Sequence, residues 1–124
     1  MFIQENSKIN TELRFGLIGI GKWGINYLKT IENIKGAIIT TIACRNIDKI
    51  RYLSKEYELT SDWNEILNSP EIDGVIIATP PKTHYEIAKE AIQRNKPIII
   101  EKPVTLDKED SKNLLFQAIK KKLA

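Results

Sequence analysis

One cysteine, Cys44, and one histidine, His84, are all that the 124 residues contain of those two types. A lone cysteine excludes an intramolecular disulfide framework, and with a lone histidine it leaves no zinc-type ligand set, so no metal is expected. Long hydrophobic runs are also missing. The longest are Val75-Ile76-Ile77-Ala78 and Ile98-Ile99-Ile100, far short of the roughly 20 apolar residues that cross a bilayer. The opening Met-Phe-Ile-Gln-Glu-Asn-Ser-Lys is too polar for a signal peptide, and a soluble, cytoplasmic protein with no membrane partner is expected. Neither sign of charge dominates: 19 basic residues against 16 acidic ones give +3. The one dense basic run, Lys120-Lys121-Lys122, falls at the end of an expected helix, where cations complement the helix dipole. A clustered basic face is lacking, so nucleic acid is not an expected partner.

What is present is an ordinary globular composition, 42% hydrophobic and 28% charged, in a chain of single-domain length. Residues 1–12 read as a loose polar arm. Beyond them short apolar runs alternate with amphipathic stretches: strands over 13–20, 37–44, 58–60, 72–79 and 97–101, and helices over 21–34, 47–57, 63–67, 84–94 and 106–123. The helix over 84–94 carries Ile87, Ala88, Ala91 and Ile92 as its buried stripe, and Asp62 is placed to cap the short helix after it. Strands so continuously apolar are covered on both faces, and strand–helix alternation gives right-handed crossovers and a parallel sheet. The expected fold is α/β: a doubly wound parallel sheet of Rossmann type, three layers deep, without a sixth strand.

The sharpest local signal is Gly19-Ile20-Gly21-Lys22-Trp23-Gly24, which follows an expected strand and opens an expected helix, the context a dinucleotide-binding glycine turn requires. Gly19 allows the tight turn off the strand, Gly21 lets a pyrophosphate approach the backbone, and Gly24 lets helix and strand pack closely. The helix N-terminus then offers N–H groups and a partial positive charge to the phosphates. At the end of the second strand an acidic residue would bind the ribose hydroxyls of NAD. This chain has Cys44-Arg45-Asn46 there: no carboxylate repels a 2′-phosphate, and Arg45 can pair with one. NADP is therefore favoured over NAD, with Cys44 a small neutral neighbour of the adenosine.

Two further segments complete a pattern: Ile77-Ala78-Thr79-Pro80-Pro81-Lys82-Thr83-His84, and Asn95-Lys96-Pro97-Ile98-Ile99-Ile100-Glu101-Lys102-Pro103. With the glycine turn they make the chain, from roughly residue 13 to 115, resemble the N-terminal domain of the Gfo/Idh/MocA oxidoreductases, the family of glucose–fructose oxidoreductase and inositol dehydrogenase. The resemblance implies that Gly19, Gly21 and Gly24 hold the pyrophosphate with backbone help from Ile20, Lys22 and Trp23. It sets Thr79, Pro80 and His84 beside the cofactor and brings Glu101 and Lys102 to the nicotinamide ribose, with Lys102 contacting the reacting hydroxyl as the catalytic group. Read without it, Pro80-Pro81 is a turn that starts a helix, His84 a partly exposed surface histidine, and Glu101-Lys102 a pair of solvated charges.

Members of that family carry a second, substrate-binding domain; it is expected to be absent here, the chain being a fragment, a stand-alone module or half of a split enzyme. The expectation is the NAD(P)-binding domain of an oxidoreductase acting on CH–OH groups of a sugar, polyol or nucleotide-sugar, inactive alone. A second polypeptide supplying the substrate domain, or a second copy, would join through the open sheet edge at the fifth strand. The alternatives are a non-catalytic nucleotide-binding or regulatory module, and a coenzyme A-binding domain, against which Glu101-Lys102-Pro103 argues.

Overall fold

Successive side chains of a strand point to opposite faces, and in the central strands of this protein both faces are apolar. Leu17, Ile42 and Ile76 enter one cluster, while their neighbours Ile18, Ala43 and Ile77 enter another. The sheet is thus the middle layer of three. The computed structural model describes residues 12–124; the arm expected over residues 1–12 falls, apart from Glu12, outside them. The elements run β1 (Leu13–Ile18), α1 (Lys22–Glu32), β2 (Ala37–Ala43), a 3-10 helix (Ile47–Leu53), β3 (Glu58–Thr60), α2 (Trp63–Asn68), β4 (Gly74–Ile77), a 3-10 turn (Pro81–Thr83), α3 (His84–Gln93), β5 (Ile98–Ile100) and α4 (Lys108–Lys120).

All strand pairs are parallel and the sheet order is β3-β2-β1-β4-β5, the doubly wound arrangement that the strand–helix alternation predicts. The chain steps outward from β1 to β2 and β3, then returns to lay β4 and β5 on the other side. Leu28 and Ile31 of α1 and Ile50 of the 3-10 helix cover one face. Ile66 and Leu67 of α2, Ile87, Ala88, Ala91 and Ile92 of α3, and Leu114 of α4 cover the other. The order reverses between β1 and β4, and the carboxyl ends of the strands open into a crevice at that point.

Element types agree with the sequence pattern except over 47–57, expected as an α-helix and found as the 3-10 helix Ile47–Leu53. Ile47, Ile50 and Leu53 are spaced by three, the repeat of a 3-10 helix, which stacks them in one row; Asn46 supplies no side-chain cap. Among the described residues two helices carry side-chain caps, Asp62 as the sequence suggests and Asp107, which the sequence reading places inside the last helix. Asp62 accepts from the Asn64 N–H at 2.9 Å, and Asp107, just ahead of α4, accepts from the Glu109 N–H at 2.7 Å. Asn95-Lys96-Pro97 proves structural: Asn95 turns with φ 60°, and the Lys96 ammonium donates to the Ser69 carbonyl at 2.6 Å and to that of Ile72, tying β5 to the approach to β4. Burial of this amine lowers its pKa, an effect that Asp73 opposes. Among the described residues no helix is long and apolar enough to cross a membrane, and no group of three or more His, Cys, Asp or Glu could hold a metal.

Two predictions follow from packing and from charge. Gly16 of β1 lies under the fully buried Ile66, whose Cγ2 occupies the space a β-carbon would need. Gly16→Ala therefore overpacks the core by about 1–3 kcal/mol, and Ile66→Ala leaves a cavity costing about 2–5 kcal/mol. The double variant is expected to lose clearly less than the sum, since each change relieves the other; additive losses in urea unfolding would contradict the packing. On the opposite face the Tyr57 hydroxyl donates to Glu32 at 3.0 Å, and burial, then the bond and charge of Glu32, push its pKa up to about 12. A group held protonated by the fold costs stability once its unfolded counterpart ionises. Stability should fall between pH 10 and about 12, and Tyr57→Phe should make that decline shallower.

Candidate functional site

The crevice at the carboxyl ends of the strands contains a cavity of about 550 Å³. Every strand contributes to it. The turn after β1 supplies Gly19, Ile20, Gly21, Lys22 and Trp23; the end of β2 supplies Cys44 and Arg45; Ser61 follows β3 and Trp63 opens α2; Thr79, Pro80 and Pro81 follow β4; and Glu101 and Lys102 follow β5. Of the residues expected at a site, all but Gly24 and His84 line this one space.

The three glycines of the turn answer to different constraints. Gly19 has φ +98°, and a β-carbon on it would lie 2.7 Å from the Ala78 carbonyl carbon and 2.8 Å from the Thr79 nitrogen, so only glycine lets β1 and β4 end side by side. Gly24 sits one turn into the helix with its α-carbon against the Gly19 carbonyl, where a β-carbon would collide. Gly21 is constrained by nothing in the protein: its backbone is extended, and a β-carbon would meet no atom within 4 Å. Gly21 itself lines the cavity. Gly21 is also the cap of α1, so no side-chain oxygen satisfies the first-turn N–H groups, and no acidic residue stands in that turn. Free N–H groups, a helix dipole and an empty cradle suit the pyrophosphate of a dinucleotide.

The charges lining the cavity agree. Lys22, Arg45 and Lys102 stand against one carboxylate, Glu101. Both oxygens of that carboxylate are engaged: Oε2 accepts from the Tyr27 hydroxyl at 2.8 Å and Oε1 from the Lys102 N–H at 3.1 Å. Burial, then the bond and charge of Glu101, raise the Tyr27 pKa and keep the phenol a donor. Lys102 itself is exposed and precedes a cis peptide bond to Pro103.

His84 does not itself line the cavity, and it is not partly exposed, as its reading without the resemblance expected. It is fully buried behind the cavity wall, with Nε2 2.8 Å from the Thr79 carbonyl oxygen and Nδ1 2.9 Å and 3.1 Å from those of Pro103 and Val104. The Pro81–Thr83 turn delivers it to the first turn of α3, beneath the Glu-Lys-Pro segment. There it ties the end of β4 to the end of β5. Thr79 is fixed from the front by the Thr83 hydroxyl, which donates to its side-chain oxygen at 2.7 Å. Sequence reasoning missed Ser61, Trp63, Pro81 and Tyr27 at or beside the site. Ser61 directly follows β3 and Trp63 opens the next helix, while Tyr27 lies on the face of Gly24 one turn further along α1.

A glycine turn between a strand and an uncapped helix, at the reversal of a doubly wound parallel sheet, defines a dinucleotide-binding domain. The chain belongs to the Gfo/Idh/MocA oxidoreductases: residues 13–124 match the family described as an oxidoreductase family with an NAD-binding Rossmann fold. It is 30% identical over 106 residues to inositol 2-dehydrogenase 4 of Saccharopolyspora erythraea, covering 82% of this chain and 31% of the relative. The scyllo-inositol 2-dehydrogenase (NAD(+)) of Bacillus subtilis is also 30% identical, over 105 residues, with the same coverage. Among solved structures, an oxidoreductase from Magnetospirillum magnetotacticum superposes with a TM-score of 0.81 at 37% identity, covering 91% of this chain and 37% of that one. KijD10, a 3-ketoreductase from Actinomadura kijaniata in complex with TDP-benzene and NADP, superposes with 0.84 at 25% identity, over 91% and 37%. The chain thus spans about a third of the length of the curated relatives it matches.

Gly21→Val tests the cradle. The β-carbon has space in the protein, so the unfolding midpoint should stay within about 3 °C of the parent. Dinucleotide binding should weaken at least tenfold, about 1.4 kcal/mol. Gly19→Ala should instead lower the midpoint, because its backbone conformation and its neighbours both oppose a side chain.

Proposed function

We propose that this chain is the cofactor-holding part of an oxidoreductase that acts on a secondary alcohol of a sugar, polyol or nucleotide-sugar, and that it takes NADP in preference to NAD. The observation that carries the reading is the single cavity that joins an open cradle at Gly21 to Lys102 at its far end. When bound, the nicotinamide supplies the hydride chemistry. The residues of this chain bind and orient. Gly19, Gly21 and the first-turn N–H groups of α1 hold the pyrophosphate, aided by Lys22. Arg45, beside Cys44, faces the adenosine end, where a guanidinium pairs with a 2′-phosphate in two parallel hydrogen bonds. Thr79 and Pro80 bound the nicotinamide side, and Lys102 hydrogen-bonds the reacting oxygen, where a positioned amine stabilises or transfers the proton.

The relatives are about three times as long, and the substrate-holding half of the reaction is assigned to a further domain or polypeptide. The outer edge of β5 is where it, or a second copy, would join. Ile99 is half-exposed there, and Leu115, Phe116 and Ile119 of α4 present an exposed apolar row beside it, a surface of the kind that marks an interface.

Trp23 and Trp63 both line the cavity, so their fluorescence reports binding. Titration should give micromolar binding of NADPH, weaker binding of NADH, and none of coenzyme A. Arg45→Ala should cost NADPH about tenfold to a hundredfold and leave NADH within about twofold, the range of a charge-assisted hydrogen-bond pair. Cys44, the only thiol, should be shielded from alkylation by NADPH. Binding of neither dinucleotide would refute the reading, and equal affinities that ignore Arg45 would remove the preference for NADP.

A further inference from the structure

We propose that Tyr27 is a positioning residue: its hydroxyl holds the Glu101 carboxylate away from the Lys102 ammonium and so keeps that ammonium free to face the ligand. The inference rests on the reading of Lys102 given under Proposed function and deepens it. Glu101 and Lys102 are consecutive, both line the cavity, and a glutamate side chain has three rotatable bonds with which to reach a neighbouring cation. Yet among the described residues Lys102 makes no ion pair. The carboxylate is instead spent on two other donors, the Tyr27 hydroxyl at 2.8 Å and the Lys102 backbone N–H at 3.1 Å.

The geometry is set by elements rather than by loops. Tyr27 follows Gly24 by three residues on α1, so it lies one turn along the helix on the face that meets the sheet. The Glu101 N–H is the last rung of the β4–β5 ladder, donating to the Ile77 carbonyl at 2.9 Å. A single hydrogen bond therefore links the helix that starts at the glycine turn to the turn that bears Lys102. Because the phenol is half-buried and held protonated, it donates throughout the neutral range. Removing it releases a carboxylate beside the one cation at the nicotinamide end, where it would neutralise Lys102 and place negative charge near an anionic ligand.

Tyr27→Phe removes the donor and keeps the ring. Two readouts test the proposal. In the free protein, acylation of Lys102 by an amine-directed reagent, followed by peptide mass spectrometry, should slow several-fold in Tyr27→Phe and recover in Tyr27→Phe/Glu101→Gln, which has no carboxylate to pair. Unchanged labelling overturns the proposal. In the second readout NADPH should bind Tyr27→Phe about tenfold more weakly, while 2′,5′-ADP, which fills only the adenosine end, should bind within about twofold of the parent. Equal loss for both ligands would show a general disturbance of α1 and overturns the proposal. Should the parent bind neither ligand while labelling responds as stated, the cofactor reading fails and the positioning of Glu101 by Tyr27 stands.

Discussion

Everything at the site depends on two backbone turns passing at contact distance. Where β1 ends, Gly19 presses against the peptide joining Ala78 to Thr79, and the first turn of α1 presses back on Gly19 through Gly24. No side chain fits at either contact. The consequence is geometric: the helix starts at the point where the sheet reverses direction, and its uncapped first turn borders the crevice that Gly21, Lys22 and Trp23 line. Shifting β1 and β4 apart by one β-carbon would displace the α1 N-terminus from the ends of β2 and β5, and Arg45 and Lys102 would no longer share a cavity with it.

The second constraint is electrostatic. Three cations and one carboxylate around a largely apolar cavity favour an anionic ligand, but only if the cations do not satisfy each other's needs internally. The protein manages this by occupying the carboxylate. Tyr27 and a backbone N–H take both oxygens of Glu101, while His84 lies against the far side of the same turn at the Pro103 and Val104 carbonyls and reaches the Thr79 carbonyl after β4 with its other nitrogen. The Glu-Lys-Pro segment is thus pinned from α1 in front and from α3 behind. Its one free polar group of consequence is the Lys102 side chain.

Much of this was legible in the sequence, and what was not has identifiable causes. Apolar runs without alternation announced strands covered on both faces, and Leu17 and Ile18 or Ile76 and Ile77 do enter opposite clusters. The glycine turn, Thr79 and Glu101 were readable as strand ends, since strand ends line the crevice in any doubly wound sheet. The 3-10 helix over 47–53 was misread because apolar residues three apart satisfy both helical periods until length decides. His84 was misread as partly exposed because a lone histidine early in a helix does not show which way it faces; it is fully buried. Tyr27 went unnoticed because its role is a contact over 74 residues of sequence, which no local pattern carries.

Strand order converts the sequence order of these residues into an order along a ligand. Adjacent strands lie about 4.8 Å apart, so the five strand ends form a ledge about 19 Å across. Along it stand Ser61 after β3, Arg45 after β2, the glycine turn after β1, Thr79 after β4 and Lys102 after β5. The centre of the ledge is the helix N-terminus, with Arg45 one strand away on one side and Lys102 two strands away on the other. A dinucleotide with its pyrophosphate at the middle of the ledge has strand ends to lie along on either side. The asymmetry follows from topology alone: β2 neighbours β1, whereas β5 lies beyond β4 at one edge of the sheet.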